Sequence, residues 1–225
     1  VDRIAVLHTA RMLWQRSGGL FDITCERHLR ACGVLPADSS GWAVARSGGM
    51  ADLELDDSAR VRLRQPLTVN LDGIAKGYAV DRAVAVLQAQ GMTTGCVNAG
   101  GDLRLFGTEG QAVSLRDPRQ PTRLWSLGEY REIAFATTGS YFLGAAEEVP
   151  SAVIHPASGQ AVTLSGCITV TAPRCMHADA LTKVAALAHA GRLNLSPLFE
   201  SLGATAHLFP SVSEETPHGL CAAHQ

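Results

Sequence analysis

The chain has little charge, and very little of it is lysine. Of its 225 residues 18% are charged, the formal net charge at pH 7 is −2, and the basic residues divide into 17 Arg and two Lys, Lys76 and Lys183. So balanced a set makes no basic surface for nucleic acid or anionic lipid. No apolar run approaches the roughly 20 residues that span a bilayer. The six Cys, at 25, 32, 96, 167, 175 and 221, form no CxxC pair and no paired zinc spacing. They read as small buried hydrophobes, and so leave the redox compartment open. The GxSxG elbow of serine hydrolases and the HExxH helix of zinc proteases are both missing. What is present is a chain 46% apolar, enough for one compact domain, alone or with a small subdomain.

Residues 2–16 place Ile4, Leu7, Ala10 and Leu13 or Trp14 on one side of a helix, which Gly18-Gly19 stops. In 51–64, Leu53 and Leu55 alternate with acidic residues and Val61 and Leu63 with arginines, as in a hairpin with oppositely charged outer strands. Residues 66–71 predict a buried strand, followed by a turn with Gly73 and a helix from about 77 to 90. Strands at 94–98 and 103–106 flank the turn Gly100-Gly101-Asp102. Further strands are expected at 111–116, 131–137, 151–155, 166–172 and 204–209, with helices over 179–190 and from Ser196-Pro197 onward. Many strands with few helices favour an α+β fold, mainly antiparallel sheet with packed helices, over regular βαβ alternation. One domain spans 1–209, and the polar 210–225 reads as a flexible tail.

Two segments could carry chemistry. In Val69–Asp81, Lys76 stands at the start of a helix behind Gly73, where free N–H groups and an ammonium suit an anion. The spacing is neither GxxxxGK[ST] nor GxGxxG, and a strand–turn–helix with a surface lysine accounts for it as well. In Ala178–Lys183, Asp179, Thr182 and Lys183 stand at i, i+3 and i+4, so a carboxylate and a hydroxyl one turn apart could hold Mg²⁺. An ordinary helix ion pair between Asp179 and Lys183 explains the same spacing. Asn98–Asp102, Ala136–Tyr141 and His155–Gly159 are weaker candidates, compatible with hairpin turns or a structural histidine. Where arginine is the default cation, a retained lysine suggests that a compact ammonium is wanted.

Taken in order, the segments Gly18–Thr24, Leu71–Asp81, Val97–Asp102, Thr137–Tyr141, Pro156–Gly159 and Thr169–Pro173 with Ala178–Leu181 resemble the FAD:protein FMN transferase (ApbE-like) family, from about residue 4 to 209. The resemblance implies binding of FAD, Mg²⁺-dependent cleavage of its pyrophosphate, and attachment of FMN to a Thr hydroxyl of a client flavoprotein. It implies FAD contacts from Leu20, Phe21, Asp22, Asn70, Lys76 and Ile154. The metal site would comprise the Gly73 carbonyl, Asp179 and Thr182. It further implies an additional N-terminal portion before Val1 and a place at the bacterial envelope, in the periplasm or on the outer face of the inner membrane.

The chain departs from the family pattern at three places. Val69-Asn-Leu-Asp-Gly73 stands where Val-Asp-Leu-Gly-Gly is usual, and Ala152-Val-Ile-His-Pro156 where His-Ile-Ile-Asp-Pro is usual. Asp179-Ala-Leu-Thr-Lys183 stands for Asp-Ala-Leu-x-Thr, which puts an ammonium where a metal-binding hydroxyl is expected. Two outcomes follow. In one, Thr182 supplies the hydroxyl, Lys183 turns to the phosphates and His155 serves as base, so His155 and Lys183 are the catalytic candidates. In the other, Lys183 replaces the cation in a non-catalytic FAD-binding or flavin-carrier protein. Hydrolysis of FAD as a pyrophosphatase is a further alternative.

Overall fold

A computed structural model describes residues 3–36, 48–56, 60–117, 120, 122–139, 153–164, 166–210 and 218–219. The chain opens with helix α1 (Arg3–Arg16), which buries Val6, Ala10 and Leu13, and a short helix α2 (Glu26–Ala31). Strands β1 (Leu53–Leu55) and β2 (Val61–Leu63) form the expected hairpin, with Glu54 opposite Arg62 and an ion pair from Glu54 to Arg64. Helix α3 (Ala75–Ala89) leads into β3 (Gly95–Ala99) and β4 (Asp102–Phe106), which are joined at Gly100-Gly101. Then come β5 (Gln111–Arg116), β6 (Leu124–Tyr130), β7 (Ala134–Gly139), β8 (Gly166–Ala172), α4 (Cys175–Gly191), α5 (Ser196–Ser201), β9 (Thr205–Pro210) and β10 (His218–Gly219).

Six strands make one antiparallel sheet in the order β10-β9-β8-β7-β4-β3, while β5 and β6 form a separate ribbon. Helix and antiparallel sheet are thus combined as an α+β fold requires. Every residue of β8 is buried, and α4 packs on β7 and β8 from one side and against α3 on the other. The sequence of α4 explains its position: CMHADALTKVAALAHAG is rich in Ala, which favours a helix and leaves room for close approach.

The approach is closest at Gly77. A Cβ built there would stand 2.3 Å from the Cys175 carbonyl oxygen. The start of α4 is capped from a distance. Arg174 makes no side-chain cap, and the Asp81 carboxylate on α3 accepts the N–H groups of Cys175 at 2.9 Å and Met176 at 3.0 Å. Asp81 also accepts Arg104 Nη1 at 2.8 Å, so one carboxylate ties α3, α4 and β4 together.

Several sequence expectations need correction. The buried strand at 66–71 does not form; that stretch runs as a half-exposed loop, pinned by Asn70 N–H to the Ile23 carbonyl at 2.8 Å. Pro66 has no N–H to give to a ladder, which disfavours a strand there. Helix α3 begins two residues early and α4 four residues early, so Asp179 lies inside α4 and not at its start. The strand expected at 131–137 is β7, shifted to Ala134–Gly139. The one at 151–155 is reduced, within the described residues, to a bridge between Ile154 and Ala161. Of the cysteines, Cys167 and Cys175 are buried, Cys25 and Cys32 half-buried and Cys96 exposed. Cys221, Ala152, Ser140, Tyr141, the Asp57-Ser58 turn and most of the tail lie outside the described residues.

Candidate functional site

The loop after α1 carries four consecutive cavity residues, Leu20 to Ile23. Leu20 and Phe21 are buried, and Phe21 N–H donates to Ser17 Oγ at 3.0 Å. Asp22 folds back on its own backbone, accepting Thr24 N–H at 2.7 Å and Thr24 Oγ1 at 2.5 Å. Opposite, Asn70 and Asp72 make a second such turn, with Asp72 N–H on Asn70 Oδ1 at 2.8 Å. Ile154 is held by its bridge to Ala161. These stretches converge on one open cavity whose lining includes Leu20, Phe21, Asp22, Asn70, Gly73, Ile154 and Lys183. Cys25, Leu29, Val34 and Leu35, on and around α2, complete an apolar wall that the sequence reading left out. Burial, with Asp22 adding to it, pushes the Cys25 thiol up to about 12.

At the end of the cavity Lys183 meets Asp179. Its Nζ donates to Asp179 Oδ1 and to the Asp179 carbonyl, the latter at 3.0 Å. Its stem lies over Gly73, where a Cβ would stand 3.4 Å from Lys183 Cε. Asp179 is fully buried, and its other oxygen accepts Gly77 N–H at 3.1 Å. Lys76, on the first turn of α3, pairs with Asp102 at the start of β4 and stands 3.9 Å from Asp179 Oδ1. Two ammoniums and two buried carboxylates therefore share one site, drawn from α3, α4 and the start of β4.

The electrostatics of that group are uneven. Burial disfavours the Lys76 ammonium, but Asp179 and Asp102 outweigh it and raise its pKa. Asp102 moves upward too: burial comes first and Asp179 second, and together they exceed the pull of Lys76 and Lys183. A close ion pair by itself would lower a carboxyl pKa. Asp102 is 2% exposed and Lys76 half-exposed, so desolvation falls mainly on the acid.

The structure does not gather every residue the sequence singled out. Lys76 and Asp179 lie beside the cavity and not in its wall. Thr182 is 1% exposed, is not in the lining, and donates its hydroxyl to the Asp179 carbonyl at 2.7 Å. His155 is also outside the lining, although Ile154 and Pro156 on either side of it are within. Its Nδ1 is buried without a partner among the described residues. Asp102 was visible only as the end of a Gly-Gly turn; its pairing with Lys76 needed the fold.

This donor set does not fit Mg²⁺. A magnesium site wants oxygen ligands in octahedral array. Here Asp179 Oδ1 already holds an ammonium, and the Thr182 hydroxyl is turned into its own helix. Among the described residues no three His, Cys, Asp or Glu side chains gather as a metal group.

The sheet order, the cavity and the lysine–aspartate group together describe a class, an α+β domain with a cleft that ends in cationic side chains. Two solved structures superpose over nearly the whole chain. One is the ApbE protein of Thermotoga maritima, with TM-score 0.77, 24% identity and coverage of 97% of this chain and 76% of that one. The other is the flavinyl transferase ApbE of Pseudomonas stutzeri, with TM-score 0.75, 22% identity and coverage of 99% and 73%. A curated relative, the FAD:protein FMN transferase of Vibrio cholerae, is 30% identical over 159 residues, an alignment covering 66% of this chain and 47% of that protein. The chain thus spans about half the length of the curated relative it matches. The sequence profile of the ApbE family matches residues 2–195. The chain belongs to the ApbE family.

Proposed function

We propose that this chain binds FAD in the cavity and transfers FMN from it to a Thr hydroxyl of a client flavoprotein. The observation that carries the reading is convergence. Leu20, Phe21, Asp22, Asn70 and Ile154, from three separated stretches, line one cavity that ends at Gly73 and Lys183. Aliphatic and aromatic side chains suit a flat ring system, and the Lys183 ammonium at one end, with Lys76 beside the cavity, suits phosphates.

In this reading the Thr oxygen attacks the phosphorus of the FMN half. The new P–O bond forms as the bridging P–O bond breaks, and AMP leaves with that electron pair. Lys183 and Lys76 neutralise charge on the phosphate oxygens as the bridge opens. The hydroxyl proton passes to His155, a role supported by its place between the lining residues Ile154 and Pro156. Mg²⁺ dependence, which the resemblance implies, is not carried over, because Asp179 is already engaged.

Incubation of the protein with FAD and a Thr-containing client peptide tests this. A peptide gaining the mass of FMN, with none gained by its Thr→Val version, is the expected result. AMP release without peptide modification would mean FAD hydrolysis. FAD binding with neither product would favour the second reading, a flavin carrier, which the Lys183–Asp179 contact supports.

A further inference from the structure

We infer that the diphosphate-binding end of this cavity carries its own fixed cations, so that the chain holds a nucleotide diphosphate without any divalent metal ion. This rests on the flavin reading above and adds to it a cofactor requirement of the same site.

Donor counting comes first. An ammonium has three N–H donors. Lys183 gives two of them to Asp179, to Oδ1 and to the main-chain oxygen. Lys76 is half-exposed and forms one hydrogen bond, with Asp102. Each lysine therefore keeps a donor for an incoming oxyanion. Position comes second. The Lys183 stem packs over Gly73 at the cavity wall, which fixes where Nζ can stand.

Exclusion comes third. A divalent ion at Asp179 would have to displace Lys183 from Oδ1 while Lys76 stands 3.9 Å from the same oxygen. Three cations around one carboxylate repel each other strongly in a partly buried site.

The test titrates the intact protein with FAD calorimetrically, once in EDTA and once in excess Mg²⁺, and follows Mn²⁺ binding by electron paramagnetic resonance. The wild type is expected to bind FAD equally in both and to show no stoichiometric Mn²⁺ site. Lys183→Thr frees Asp179 and offers a hydroxyl. It is expected to gain a Mn²⁺ site, to lose about tenfold in FAD affinity in EDTA, and to recover it in Mg²⁺. FAD binding by the wild type only with Mg²⁺, or a stoichiometric Mn²⁺ site on it, would overturn the inference and leave the flavin reading standing. No FAD binding under either condition would overturn both. Metal-independent, undiminished binding by Lys183→Thr would remove Lys183 from the role. The wild-type measurements decide the matter even if the variant does not fold.

Discussion

Gly77 and Cys175 meet backbone to backbone. The position a Gly77 Cβ would occupy is 2.3 Å from the Cys175 carbonyl oxygen and 2.8 Å from Met176 Cα. The same Gly77 N–H reaches Asp179 at 3.1 Å. Contact between α3 and α4 and the placement of the buried acid are thus one event. Without a side chain at 77 the helices close, and only then does the carboxylate obtain its backbone donor.

Gly77→Ala is expected to force the helices apart, at a cost of about 3 kcal/mol, the upper end for overpacking a dense contact. Chemical unfolding measures the loss. FAD affinity should fall with it, because Asp179 and Lys76 move with the helices. An unchanged unfolding midpoint would mean that the helices do not approach as described.

Asp81 holds the start of α4 and the Arg104 guanidinium with one carboxylate. Asp81→Ala removes the cap and leaves Arg104 without its acid, a loss of about 3 kcal/mol, the lower end for breaking a buried pair. Asp81→Asn keeps an acceptor for the α4 N–H groups and should recover part of it. Urea midpoints of the three proteins, compared at equal slope, check the order.

The Lys76–Asp102 pair predicts a loss of stability in the same sense, as pH rises, at both ends of the pH scale. The folded pKa of Lys76 is raised above 10.5, so its contribution is full below that value and is lost as pH rises through the folded pKa. Asp102 is also raised, above 3.8, so the native state binds the extra proton between its two pKa values. Its contribution is full below 3.8 and falls as pH rises through the raised value. Relative to Asp102→Asn, the wild type should therefore lose stability as pH climbs out of the acid range. Unfolding free energies of both proteins on either side of 3.8 test the sign.

Cys25 lines the cavity and its thiol is held protonated up to about 12, whereas Cys96 is exposed on β3. Iodoacetamide is expected to label Cys96 faster than Cys25, since the thiolate is the nucleophile. FAD should slow Cys25 labelling further and leave Cys96 unaffected. Peptide mass mapping with and without FAD reads both rates; equal protection of the two would place the ligand elsewhere.

Much of this molecule is legible in one dimension. The apolar spacing in 2–16 marks α1, the alternation in 51–64 marks the β1–β2 hairpin, and the runs at 166–172 and 204–209 mark two adjacent strands of the sheet. The motif order points to Leu20, Phe21, Asp22, Asn70, Gly73, Ile154 and Lys183 of the cavity lining and misses the wall around α2. β6 escaped because Leu124–Tyr130 has Gly128 inside it and a pairing irregularity opposite, at Val113/Ser114, so no clean alternation shows. Helix starts were read late at Ala75 and Cys175 because no capping side chain precedes either. The acid that caps α4 comes from Asp81, on another helix.

The sequence by itself determined the family, the α+β class and the identity of the two lysines, because periodicity and motif order are local properties of the chain. The tertiary structure decided what those lysines face. Lys76 meets Asp102 across 26 residues of sequence, and Gly77 gives its N–H to Asp179 across 102. It also turned the Thr182 hydroxyl onto the Asp179 carbonyl and laid Lys183 over Gly73. Pairings at such separations depend on how closely two helices pack, and a residue list does not carry that distance.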